Sequence, residues 1–290
     1  MYKIGIIGNG FVGSSVAHGF SSNTGCDVED VKIYDKDNSK STHTLNEVVN
    51  DSDYIFLSVP TPSKSDGSIS LDIVQEVFEE IHNVIDYETD CQPVILLRST
   101  VTPGTTSKIQ GEYPRMNIVF NPEFLTERSA KLDFINQSRI VLGGTWGNTT
   151  KVEQLYQWRF GKHIPVIKTD LQTAEMIKYM CNCFFATKVS YLNEMKKLSD
   201  KLGANWEDCV EGFSLDGRIG HSHLNVPGPD GKYGFGGSCF PKDVQAMIHF
   251  MNKLDTPVNT LKGVWETNLK VRPEKDWEKL KGRAVVEENE

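Results

Sequence analysis

No stretch of the 290 residues approaches the roughly 20 consecutive apolar positions that a membrane-spanning helix needs, so no insertion into a bilayer is expected. A secretory leader is missing as well. Met1 runs straight into the strand-like Tyr2-Lys3-Ile4-Gly5-Ile6-Ile7, with no basic segment, apolar core and small-residue cleavage site, which points to a cytoplasmic protein. The Asn-x-Ser/Thr triplets at Asn136 and Asn148 then carry no glycosylation meaning. Positive charge is also short. A formal net charge of -8 argues against a general nucleic-acid binder, whose affinity comes from clustered Lys and Arg, and any anionic ligand needs a locally basic pocket. Cysteine is sparse and unpatterned: Cys26, Cys91, Cys181, Cys183, Cys209 and Cys239 match neither a disulfide framework nor zinc-ligand spacing. Most are expected to be buried free thiols. Cys181 and Cys183, two apart in a helical stretch, point in different directions and are poorly placed to share a metal. His221 and His223 lack a third ligand in sequence, so no metal is expected. Internal repeats, heptads and low-complexity tracts are absent.

What is present is a hydrophobic content of 38% in a chain long enough for two domains. The first half alternates strand-like runs with amphipathic segments, the pattern of a parallel sheet covered by helices. Val31–Tyr34, Tyr54–Val59, Val94–Leu97 and Asn117–Phe120 read as strands after the first. Between about Lys168 and Asp200 the period changes to 3.6 with no Pro or Gly inside, which predicts one long helix. From Gly203 to about Asp276 the chain reads as mainly helical, interrupted by a Gly- and Pro-rich loop from Asn225 to Gly237. The expected architecture is α/β: a Rossmann-like, doubly wound parallel sheet over residues 1–168, a long helix with a helical domain over 169–278, and a short remainder over 279–290.

Gly8-Asn9-Gly10-Phe11-Val12-Gly13 follows the first strand and opens a helical stretch, an intact G-x-G-x-x-G in the context that gives this motif its meaning. Gly8 permits the tight turn, Gly10 admits a pyrophosphate close to the backbone, and Gly13 lets the helix pack on the strand, with its N-terminus facing the anion. Asp35 ends the second strand 22 residues after Gly13, where a carboxylate accepts from ribose hydroxyls and repels a 2′-phosphate. NAD is therefore favoured over NADP, a preference that the adjacent Lys36 softens.

The stretch Tyr233-Gly234-Phe235-Gly236-Gly237-Ser238-Cys239-Phe240-Pro241-Lys242-Asp243 concentrates three glycines, a thiol, a cation and a carboxylate. Pro241 suits the first turn of a helix, which would put Cys239 at a helix N-terminus, where the dipole and Lys242 favour the thiolate. Cys239 is thus a candidate nucleophile. Asp243, one turn on, can tune that thiol, position water, or simply stabilise the first turn. On the long helix, Ala174, Lys178, Asn182, Phe185, Val189 and Leu192 fall on one stripe, so two polar residues interrupt an apolar face. A buried lysine is costly unless paired or functional, and Lys178 with Asn182 can address a ligand or an oxyanion. Two segments follow strands at the end where open α/β sheets bind ligands: Ser99 to Thr106, and Asn121-Pro122-Glu123-Phe124-Leu125-Thr126-Glu127. Glu123 and Glu127, four apart, can share one side of a helical turn and supply carboxylates for water activation or hydroxyl binding.

In this order, the Gly8–Gly13 motif, V-P-T-P (Val59 to Pro62), S-T-V-x-P-G-T-T from Ser99, N-P-E-F-L from Asn121, A-E-x-x-K-x-x-x-N (Ala174 to Asn182) and G-F-G-G-S-C-F-P-K-D resemble the UDP-glucose/GDP-mannose dehydrogenase family over nearly the entire chain. The resemblance implies NAD-dependent oxidation of a nucleotide sugar at C6, from alcohol to carboxylate, in two hydride transfers through a thiohemiacetal and a thioester on Cys239. By position it implies Lys178 and Asn182 as oxyanion partners, Asp243 with Thr100 as the groups ordering the hydrolytic water, and Glu123 as a substrate- or catalysis-linked carboxylate. It places Gly8, Gly10, Phe11, Val12, Gly13, Asp35, Lys36, Pro60, Thr61, Thr100, Glu127 and Lys242 at the cofactor. It places Glu123, Phe124, Leu125, Lys178, Asn182, Tyr233, Phe235, Gly236 and Gly237 at the substrate, and Arg218 at the substrate across the interface of a homodimer built on the helical domain.

The family normally continues into a third domain that covers the nucleotide half of the substrate, and Leu280–Val286 reads as the first strand of such a domain. The chain is then a fragment, a shortened enzyme, or half of a pair whose partner chain supplies the remainder. Two other functions compete: an NAD-binding subunit without turnover of its own, and a one-step β-hydroxyacid or 6-phosphogluconate-type dehydrogenase, which has no use for the Cys239 loop.

Overall fold

The computed structural model describes residues 1–26, 28, 30–89 and 91–287. Strands β1 (Lys3–Ile7), β2 (Asp30–Tyr34), β3 (Tyr54–Leu57), β4 (Val94–Leu97), β5 (Asn117–Phe120), β6 (Ile140–Gly143) and β7 (Val166–Thr169) form one sheet in the order β2-β1-β3-β4-β5-β6-β7. Between them run α1 (Phe11–Gly19), α2 (Leu45–Asn50), α3 (Asp72–Val84), α4 (Thr105–Glu112), α5 (Ala130–Ile135) and α6 (Trp146–Phe160). Then come α7 (Leu171–Leu202), α8 (Trp206–Ser214), α9 (Phe240–Lys253) and α10 (Asn259–Val271). The chain divides into two compact units. Met1–Thr61 with Leu71–Lys178 makes the first, and Pro62–Ser70 with Tyr179–Glu290 makes the second.

In the first unit, strand residues alternate between two cores because successive side chains leave a strand on opposite faces. Ile7, Ile55, Leu57, Ile95 and Leu97 pack with Val48, Val74, Phe78 and Ile109 on one face. Ile4, Ile6, Phe56, Leu96 and Val119 pack with Phe20, Phe134 and Tyr156 on the other. Burial on both faces explains the near-continuous apolar strands of the sequence, and each fully buried side chain contributes about 1.5–3 kcal/mol. β2, β1, β3, β4 and β5 pair in parallel. The strand order reverses at β1, and the loops after β1, β3, β4 and β5 emerge at the same end of the sheet, the ligand-binding end of such folds.

Two strands, β6 and β7, lie outside the pattern expected from sequence. Each has only four residues, too few to reveal a period, and β6 meets β5 through a single antiparallel pair, Phe120 with Gly143, so the sheet is mostly rather than wholly parallel. Leu280–Val286 also differs from the expected strand. It folds into a turn around Gly282, whose φ of 71° suits glycine, and makes isolated bridges from Val285 to Lys281 and to Ser63. Ser63 uses its own N–H and C=O, to Ala284 O and from Val286 N at 2.9 Å each, so hydrogen bonds from a distant loop replace the partner strand.

The long helix begins behind Asp170, whose carboxylate accepts from Thr173 N–H at 2.8 Å, and ends at Gly203, in a left-handed conformation at φ 66°. In the second unit, Leu192, Leu224 and Val226 form a small core with Trp206, Val210 and Phe213. A second cluster joins Phe235, Phe240, Trp265 and Trp277. Among the described residues, no helix is long and apolar enough to cross a membrane.

Candidate active site

The first unit assembles its glycine loop by backbone collision. Gly8 has φ 88°, and a Cβ there would stand 2.3 Å from Ser58 O, while a Cβ on Gly13 would stand 1.9 Å from Gly8 O. Gly10 differs, for a Cβ there meets nothing within 4 Å. It caps α1 without any side-chain hydrogen bond, so the first-turn amides and open space face the same place, the arrangement an anion requires. Asp35 is fixed beside this loop. Its Oδ2 accepts from Asn9 N–H at 2.6 Å and its Oδ1 from Asp37 N–H at 2.9 Å. Lys36 turns to solvent, with Nζ 3.8 Å from Glu76. Farther along the same end of the sheet, Ser99 Oγ bonds both backbone groups of Val59, and Thr61 Oγ1 donates to Thr100 O at 2.8 Å. These bonds join the Pro60-Thr61 turn to the Ser99-Thr100 turn.

Lys178 is 3% exposed and is paired rather than snorkelling: its Nζ donates to Glu123 Oε1 at 2.9 Å and Glu123 O at 2.5 Å, and lies 5.4 Å from the Phe124 ring. The Glu123 carboxylate also accepts from Leu125 N–H at 2.6 Å, so one buried ion pair defines the turn after β5. Glu123 and Glu127 do not share a helical turn, contrary to expectation. Residues 121–126 are irregular, Glu123 is buried by its bond to Lys178, and Glu127 is exposed.

In the second unit, Cys239 is the N-cap of α9 and Pro241 occupies the first turn, as the Pro-Lys-Asp order suggests. Asp243 is fully buried. Its Oδ2 accepts from Asn182 Nδ2 at 2.6 Å and its Oδ1 from Lys242 Nζ at 2.5 Å, so the carboxylate joins α7 to α9 one helical turn after Cys239. Cys183, the next residue of α7, is pushed up to about 12 by burial and then by Asp243, which keeps it an inert thiol. His223 stacks on Phe185 at 4.4 Å and lies 5.5 Å from Phe240. Burial, with Lys188 nearby, lowers its pKa and keeps the imidazole neutral. Among the described residues, no group of three or more His, Cys, Asp or Glu side chains could hold a metal ion. Tyr233 is at the surface, and the Arg218 side chain is 89% exposed, folded back on Asp216 of its own turn. Lys188 holds that turn by donating to Gly220 O at 2.8 Å.

The cysteines correct one expectation, for only Cys26 and Cys183 are buried; Cys91 lies in a loop and Cys209 on the outer face of α8, both exposed. Other residues escaped the sequence reading. Glu175 is wholly buried and caps α4 from a distance, accepting from Gly104 N–H at 2.6 Å and from Thr106 N–H and Oγ1 at 2.8 and 2.6 Å. Desolvation raises its pKa against these bonds. Arg98 and Tyr156 both donate to Asn121 Oδ1 at 2.5 Å and anchor the start of the Asn121–Leu125 turn. Asn193, Asn268 and Arg272 grip the loop before Cys239. One signal was available for the last two: Val264 and Asn268 on α10 are spaced by one turn from each other and from Arg272 at its C-terminal cap, an apolar face broken by polar residues, as at Lys178 and Asn182.

Residues 31–159 match the NAD binding domain of the UDP-glucose/GDP-mannose dehydrogenase family, and residues 172–270 match its central domain. UDP-glucose 6-dehydrogenase of Rickettsia conorii is 38% identical over 249 residues, covering 82% of this chain and 54% of that protein. Its counterpart in Rickettsia typhi is 34% identical over 302 residues, covering 93% of this chain and 67% of that protein. The chain thus spans about half to two thirds of the length of these curated relatives. Among solved structures, a UDP-glucose dehydrogenase from Pyrobaculum islandicum superposes with a TM-score of 0.80 at 28% identity, over 93% of this chain and 68% of that one.

Proposed function

The chain belongs to the UDP-glucose/GDP-mannose dehydrogenase family, and from that premise we propose that it oxidises a nucleotide sugar at C6 from alcohol to carboxylate with NAD, UDP-glucose to UDP-glucuronate being the favoured conversion. The observation that carries the reading is Cys239 at the start of α9, whose first turn also holds the buried Lys242-Asp243 pair bonded to Asn182. A one-step dehydrogenase has no need of a thiol there. The glycine loop fits the cofactor: the uncapped start of α1 with open space at Gly10 suits a pyrophosphate, and the fixed Asp35 carboxylate suits ribose hydroxyls. Phe11, Val12, Gly8 and Gly13 shape that loop, Pro60, Thr61 and Thr100 continue the same edge, and Lys36, Glu127 and Lys242 complete the proposed contacts. NAD, when bound, supplies a hydride acceptor for each of the two oxidations.

The chain's own residues do the rest. Loss of a hydride and a proton from the C6 alcohol gives an aldehyde, whose carbon the Cys239 thiolate attacks, forming a C–S bond while the carbonyl oxygen takes up negative charge. Lys178 and Asn182 are proposed to stabilise that oxygen, since a buried cation and an amide donor do so most strongly out of water. A second hydride loss converts the thiohemiacetal to a thioester. Water, ordered by Asp243 and Thr100, then attacks the thioester carbon, the C–S bond breaks, and the thiolate is restored as the carboxylate leaves, the two protons of the water passing to solvent. Glu123, Phe124 and Leu125 are proposed to contact the sugar with Tyr233, Phe235, Gly236 and Gly237. Arg218 is proposed to serve a second copy's substrate, and the exposed stripe Met180, Phe184, Tyr191, Leu198 and Leu202 on α7 supports pairing of two copies.

The test follows NADH absorbance with purified protein, NAD and a panel of UDP-glucose, UDP-N-acetylhexosamines and GDP-mannose, beside Cys239→Ala. Two NADH per sugar, lost or stalled in the variant, is the expected result and identifies the substrate. NAD binding without oxidation of any sugar would sink the reading for this chain by itself and point to a separate chain carrying the missing function.

A further inference from the structure

We propose that Arg272 and Asn268 are positioning residues for Cys239, clamping the chain from Asp230 to Gly236 into the path that delivers the thiol to the start of α9. The inference rests on the reading of Cys239 as nucleophile. Asn268 is fully buried, and its side-chain amide satisfies both backbone groups of one residue, accepting from Phe235 N–H at 2.7 Å and donating to Phe235 O at 3.0 Å. Asn193, on α7, accepts from Gly234 N–H at 2.9 Å. Arg272 is 2% exposed and spends its planar fork on two carboxylates: Nη2 reaches Asp230 Oδ2 and Asp276 Oδ2 at 2.6 Å each, and Nε reaches Asp276 Oδ1 at 2.8 Å. Its Nη1 donates to Tyr233 O at 3.4 Å. Lys232 adds a cation at the rim, 3.3 Å from Glu274 and 3.6 Å from Asp276.

The glycines of the loop are explained by this clamp. A Cβ on Gly234 would stand 2.4 Å from Asn268 Oδ1, and one on Gly236 would stand 2.4 Å from Arg272 Nη2, so both positions must lack a side chain for the clamp to close. The grip is passed on to the thiol in two ways. Gly236 is three residues from Cys239 along the chain, and the Phe235 ring lies 6.2 Å from that of Phe240, the first residue of α9. Arginine rather than lysine is required, because only a fork can bridge two carboxylates and a carbonyl at once.

The experiment measures iodoacetamide alkylation of Cys239 against pH, resolved by peptide mass spectrometry, in the full chain and in Asp230→Asn, Arg272→Ala and Arg272→Lys. Asp230→Asn removes one arm from a partly exposed side chain without opening a cavity, and it keeps the test decisive even if Arg272→Ala fails to fold. Release of Cys239 from the helix start should raise the midpoint of its alkylation profile by about one pH unit and slow the reaction near neutrality about tenfold. Arg272→Lys should show a smaller shift than Arg272→Ala without returning to the parent profile. Buried Cys183 serves as the internal control and should stay unlabelled. Folded variants with an unchanged Cys239 profile would overturn the proposal, as would joint labelling of Cys183 and Cys239, which means general opening of the unit. If Cys239→Ser still oxidises sugar twice while the clamp variants shift the profile, the nucleophile reading fails and the clamp stands.

Discussion

The two glycine-rich loops look alike in sequence and are built on opposite principles. In the first unit, Gly8 and Gly13 are required because backbone meets backbone: the oxygens of Ser58 and Gly8 occupy the space where side chains would begin. In the second unit, Gly236 is required because the side chain of Arg272 lies there, and at Gly234 the side chain of Asn268 adds to the demand of a left-handed φ of 68°. A loop held by the main chain has no partner residue to vary with it. A loop held by side chains has a lock that can be opened one bond at a time.

The largest effect expected from this difference is at Gly13. Gly13→Ala forces a main-chain shift and should cost about 3 kcal/mol, with NAD binding lost in parallel; thermal unfolding and cofactor titration measure both. No second substitution of a side chain should recover it. Gly236→Ala is expected to cost less, about 2 kcal/mol, and to be coupled to its lock. In a double-mutant cycle of chemical unfolding, Gly236→Ala with Arg272→Ala should be less destabilised than the sum of the two by at least about 1 kcal/mol. Strict additivity would break the comparison. The smallest effect on stability belongs to Gly10→Ala, since Gly10 has an ordinary extended conformation and an empty surrounding. Stability should stay within about 0.5 kcal/mol while NAD affinity falls at least tenfold, which would separate a glycine kept for a ligand from one kept for the fold.

The same contrast marks how far the sequence could be read. Five strands, the long helix and the placement of Cys239 at the start of a helix follow from local signals: apolar runs bounded by turns, an unbroken 3.6 period, and a proline in the first turn. What local signals miss is partnership at a distance. Glu175 lies one position off the stripe through Ala174 and Lys178, and its role at Gly104 and Thr106 depends on a meeting of segments some 70 residues apart. Asn268 and Arg272 interrupt an apolar face visibly, but the backbone groups they satisfy lie more than 30 residues earlier. β6 and β7 were missed for a different reason, since a four-residue run, apolar in β6 and half polar in β7, is too short to tell a strand from a helical turn. The expected strand at Leu280–Val286 turned instead because Gly282 bends it and a loop, rather than a sheet, offers the hydrogen bonds.

The pairing of Ser63 with Val285 sets an order of events during synthesis. About 220 residues separate the two, so Pro62–Ser70 has to wait for that length of chain to be made before its partner leaves the ribosome, an interval of roughly 10–40 seconds at ordinary elongation rates. Closing so long a loop adds little entropy cost beyond that of one half its length, about 0.6 kcal/mol. Time, rather than free energy, is what this strap demands: one piece of the second unit is made before most of the first unit and is kept waiting for the rest of its own.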